Sequence, residues 1–112
     1  KLLVEGGILT EKVKVALHSG SNWADYVFAD HYKLMPLKEV ESFVKANKHL
    51  PGIDSAKDLE ACGLDLAEMQ SKQMEKIEEL TLHLIEQNKQ LEQQRDEIDE
   101  LKVMVKALIG RN

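Results

Sequence analysis

The side chains able to do chemistry in this chain are few and widely spaced. Histidines stand at His18, His31, His49 and His83, and the lone cysteine is Cys62. Zinc sites draw their ligands from closely spaced Cys and His pairs, or from two His at i, i+4 on one helix. No two of these residues have such a spacing. A metal site within one chain is therefore not expected, although a threefold axis could gather one histidine from each of three chains. A self-cleaving serine–lysine pair would have to come from Ser19 or Ser21 with Lys14. No base or oxyanion group accompanies them at a fixed spacing, so residues 19–22 are expected to form a polar loop. There is no glycine-rich phosphate loop. We expect no enzyme and no cofactor. Cys62 cannot make an intrachain disulfide and is expected as a small buried apolar residue near a helix end.

Four of the five aromatic residues cluster at Trp23, Tyr26, Phe28 and Tyr32. Such a cluster either pins a loop onto a neighbouring element or presents a platform to a ligand such as a glycan or a cell-surface receptor. The formal charge is −5, and aromatic content is only 4%. A large compact core is not expected at that aromatic content. The acidic balance argues against binding nucleic-acid backbones or an anionic membrane surface. No stretch of 18 apolar residues is present, so a membrane span is not expected either. The chain begins at Lys1 rather than Met and carries no signal peptide, which suggests the C-terminal part of something longer.

These groups are positioned by a helix expected over residues 65–109. With Ile77 as heptad position a, the a positions read Ile77, Leu84, Leu91, Ile98 and Val105. The d positions read Leu80, Gln87, Gln94, Leu101 and Leu108. Eight of the ten are apolar, sustained over about five heptads without Gly or Pro, which argues for a coiled coil. Asp65 and Glu68 form a capping-box variant, Leu64 and Met69 a hydrophobic staple, and Gly110 an expected stop. At 1.5 Å per residue the rod is roughly 65 Å long. So long an apolar stripe cannot be buried by the small remainder of the chain, so the rod is expected to assemble with copies of itself. Gln87 and Gln94 at d would set register and strand number at some cost in stability. Glu97 at g and Lys102 at e of the next heptad suit parallel helices. His83, at g, lies on the flank. The Glu and Lys runs elsewhere on the rod are expected to be solvated, with Glu68–Lys72 an i,i+4 pair.

Upstream, Leu2, Leu3 and Val4 precede a Gly6-Gly7 turn. Val13, Val15 and Leu17 then alternate with Lys12, Lys14 and Ala16, the period of a half-buried strand. Pro36 opens a helix near residues 37–47 with Leu37, Val40, Phe43 and Val44 on its apolar face. Leu50-Pro51-Gly52 turns the chain. Ser55 with Asp58 starts a second helix that ends at Gly63, with Leu59 and Cys62 inward. Met74, Leu82 and Ile85 lie off the seam at e, f and b positions. A bare coil has no use for apolar residues there, so the head is expected to fold back over them, supplying Phe43, Val44 and Trp23 among its contacts.

The stretch 23–28 (Trp-Ala-Asp-Tyr-Val-Phe), the run 32–41 from Tyr32 through Met35-Pro36 to Glu41, His49-Leu-Pro-Gly-Ile, and residues 76–82 are similar to the C-terminal regions of bacterial secreted tail-fibre-domain and cell-surface fibre proteins. The similarity extends over residues 2–90. It resembles, more distantly, the endosialidase-type intramolecular chaperone domains of phage tail spikes. The Ser-Asp and basic run that mark self-cleavage in the latter are missing. The resemblance implies an extracellular, fibre-associated trimer that seeds or caps folding of an upstream shaft. The expected fold is mainly α with a small β N-terminal part. Short strands (1–22) join to a shaft, a small α+β head (23–63) packs around the start of the rod, and the long helix (64–112) forms a parallel trimeric coiled coil. A receptor- or glycan-binding fibre tip is the alternative function, and a self-cleaving chaperone a more distant one.

Overall fold

The computed structural model describes residues 1–17 and 23–111. A three-residue 3-10 turn at Tyr26–Phe28 is followed by α1 (Leu37–Asn47), α2 (Ala56–Cys62) and α3 (Leu66–Gly110). The molecule measures 83 × 32 × 31 Å, and its long dimension is set by the 45 residues of α3.

Local signals account for each helix. Pro36 lies just outside α1 with φ −59°, and its carbonyl accepts from the Glu39 and Val40 N–H groups. A missing proline N–H is harmless there because first-turn donors have no intrahelical partner. Lys48 closes α1 in the left-handed region, φ 62°, and donates its N–H to the Val44 carbonyl. Pro51 and Gly52 then form the middle of a turn in which Ile53 N–H donates to the Leu50 carbonyl at 3.2 Å. Gly52 has φ +77°, the conformation a type II turn demands at that position. The Ser55 hydroxyl accepts from Asp58 N–H to cap α2. Asp65 does the same for α3, accepting from Glu68 N–H at 3.0 Å. The last helix runs through Gly110, one residue further than expected.

One expectation is not shown in the single chain and one is corrected. Among the described residues no strand forms, and residues 1–17 are exposed throughout. An alternating stretch becomes a strand only when a neighbour completes its hydrogen bonds, and the single chain offers none. Cys62 is exposed rather than buried. On the seven-residue α2, Leu59 is half-buried, and Cys62, one turn on at the helix end, stays exposed at the edge of a cleft it shares with Leu59, Met69 and Lys72.

The core is small. Among the described residues, Ala24 and Val27 are the buried apolar ones. They sit at the 3-10 turn, which packs against α3. Val13, Val15, Leu17 and Trp23 border the start of the rod around Leu66, Ala67 and Gln70. The head thus wraps the first third of α3, and from Leu84 onward every described residue of the rod is exposed.

Candidate functional site

Two surfaces of α3 stand out, and they lie on different sides of it. An α-helix advances about 100° per residue. On that wheel Ala67, Met74, Glu75, Glu78, Glu79 and Leu82 share the side facing the head, and all are buried or half-buried. The expected seam residues share the other side. The eight apolar ones, Ile77, Leu80, Leu84, Leu91, Ile98, Leu101, Val105 and Leu108, are each between 50% and 65% exposed. Gln87 and Gln94 are exposed with them. The head therefore leaves the seam open.

The head is fastened by a polar junction that the sequence did not announce. Tyr26 donates its hydroxyl to Glu75 Oε2. Tyr32 donates to Glu79 Oε2 at 2.7 Å, and the two rings lie 5.9 Å apart. Lys76 Nζ bridges Glu79 at 2.8 Å and Glu75 at 3.2 Å, so the acceptors of both tyrosines share one cation. Further down the rod, Lys72 pairs with Glu68 at 3.1 Å and with Asp54 of the head at 3.9 Å.

These contacts bias protonation. The Tyr26 hydroxyl is pushed up to about 12 by its bond to Glu75, then by burial and by the negative charges of Glu75, Glu79 and Glu78. Burial and the Glu79 bond push Tyr32 up as well. For Lys76, burial disfavours the charge, but the bonds to Glu79 and Glu75 outweigh it and the ammonium is held charged to higher pH.

Glu78 is the one buried charged residue among those described, at 6% exposure. Its Oε2 meets no hydrogen-bond partner among them. Burial pushes its carboxyl up, and so do a hydrogen bond with Asp25 and the charges of Asp25 and Glu75. A bond between two carboxyl groups needs a proton held between them. Asp25 itself has φ 29°, outside the usual range for a residue with a side chain.

The expected contact residues are distributed as follows. Met74, Leu82, Phe43, Val44 and Trp23 are half-buried. Ile85 is not covered by its own head and is 47% exposed. Phe43 meets His49 edge to face, 5.4 Å between ring centres. His31 is exposed, and His83 lines a cleft between head and rod. No three His, Cys, Asp or Glu side chains among the described residues are placed to hold a metal. Ser19, Ser21, Asn22 and His18 lie outside the described residues. Lys14 is exposed.

Glu75, Glu78 and Glu79 are the residues that sequence reasoning missed. They were expected on a solvated face and instead meet Tyr26, Asp25 and Tyr32. The available signal was their position on the same side as Met74 and Leu82, opposite the heptad seam. No helix of the described residues is long and apolar enough to cross a membrane. The chain matches no protein-family model, no curated protein and no solved structure.

Proposed function

We propose that this chain is the C-terminal trimerisation and folding or capping domain of an extracellular fibre or tail-fibre-like protein. The observation that carries the assembly reading is the row of eight apolar heptad residues, each at least half exposed, on the side of α3 that the head leaves open. Apolar area is stabilising when removed from water, at about 25 cal/mol per Å². A continuous stripe of it at a 3.5-residue period is buried by copies of the same helix, and Glu97 at g with Lys102 at e of the next heptad suits parallel ones. Ile at a with Leu at d suits two strands taken alone. The resemblance to fibre proteins and the alternating segment ending in Val13, Val15 and Leu17 favour three, with those segments pairing between chains as the start of a threefold shaft.

The experiment is the mass of the whole chain in solution by light scattering. The expected value is three times 12.7 kDa. A monomer or an antiparallel dimer overturns the reading.

A further inference from the structure

Between head and rod runs a mostly apolar cleft of about 90 Å³. Leu37, Val40, Leu50 and Pro51 are on its head side, with Leu34 and Met35, and Leu80 and His83 on its rod side, with the paired Lys76 and Glu79. Leu80 is a d residue of the seam and His83 the g residue beside it, so the cleft is continuous with the surface proposed above to meet another copy. Ile85 is the unmatched apolar group on that part of the rod. It lies five residues beyond Leu80, which at about 100° per residue puts it well round the rod from the cleft. Its own cleft is out of its reach.

In parallel, in-register helices the g position of one heptad faces the e position of the next on the neighbour. Lys76 then faces Thr81 of a second copy, and His83 faces Asn88. Ile85 is i+4 from Thr81 and i−3 from Asn88, so it stands on the helix surface between them. The other groups on that flank do not suit an apolar cleft. Thr81 turns its hydroxyl onto the Ile77 carbonyl at 2.8 Å. Asn88 is an amide directed at Glu92. Met74 is already half-buried under its own head.

We infer that each head clasps the neighbouring rod, with Ile85 of a second copy seated in the cleft formed by Leu37, Val40, Leu50, Leu80 and His83. The inference rests on the parallel assembly proposed above. It adds that the heads are linked from chain to chain, so that head docking and rod association support one another.

The test uses full-length chains with Cys62→Ser, one carrying Leu50→Cys and the other, ¹⁵N-labelled, carrying Ile85→Cys. They are refolded together and oxidised mildly. Light scattering is recorded on the same sample, and disulfide-linked species are read by mass. A trimer containing mixed labelled–unlabelled disulfides is the expected result. A trimer without them overturns the clasp and leaves the assembly standing. A monomer overturns both. As a second reading without cysteines, Ile85→Ser lowers the melting temperature by roughly 4 °C or more, while Glu92→Ser at the next b position leaves it unchanged. Equal melting of the two variants overturns the clasp.

Discussion

Glu78 sets the sharpest expectation at the scale of single residues. Its carboxyl is nine-tenths buried, holds its proton more tightly in the folded chain than in the unfolded one, and has an oxygen with no partner among the described residues. A group whose folded pKa is raised stabilises the fold below its ordinary value. That contribution is lost as pH rises through the folded value. Above that value the ionised side chain is a liability. Glu78→Gln keeps a hydrogen-bonding group for Asp25 and removes the charge. We expect it to raise stability on the alkaline side and to weaken the fall in melting temperature as pH rises from the ordinary carboxyl range. Thermal melts of both proteins over that rise check this. A variant that melts below the parent on the alkaline side would mean that the charge is accommodated by contacts Gln cannot reproduce.

At the scale of elements, the question is what holds the head on the rod. Leu82 sits on the covered side of α3 and is half-buried, so truncation removes apolar contact with the head. We expect Leu82→Ala to cost about 2 kcal/mol, near the lower end for a buried leucine. Asp96→Ala, also at an f position but far along the bare rod, should change little. If chemical denaturation shows the two variants unfolding alike, the head does not rest on Leu82. The helices themselves were legible because their signals are local. Pro36 with Leu37, Val40, Phe43 and Val44 marks α1, and its bounds coincide with those expected. Ser55 with Asp58 and Asp65 with Glu68 mark the starts of α2 and α3. The junction was not legible, because Tyr26 and Tyr32 meet acids 49 and 47 residues away. The place of Glu78 on the side of Met74 and Leu82 sets it apart from a solvated glutamate, but it does not point to Asp25 as the partner. The N-terminal alternation is likewise silent on which chain would supply a strand's neighbour.

For the whole molecule, the proposed assembly would leave the number of rods that meet to the seam's two polar layers. Gln87 and Gln94 are exposed in the single chain and enter the interface only on assembly. Their amides must then find partners across the axis, which constrains strand number and register. We expect Gln87→Leu with Gln94→Leu to raise the melting temperature and to broaden the mass distribution in light scattering. A double variant that stays a single species without added stability would deny the layers that role.

The two tyrosine contacts also have a consequence for how the chain closes on itself. Each joins the head to the rod across a loop of nearly fifty residues. Bringing the ends of such a loop together costs roughly 3 kcal/mol of chain entropy from its length alone. Because Glu75 and Glu79 are one helical turn apart and share Lys76, whichever bond forms first bears nearly all of that cost. The second forms at high effective concentration. The pair thus acts as a chelate: loss of either bond leaves the loop closed, and the head is released only when both are gone.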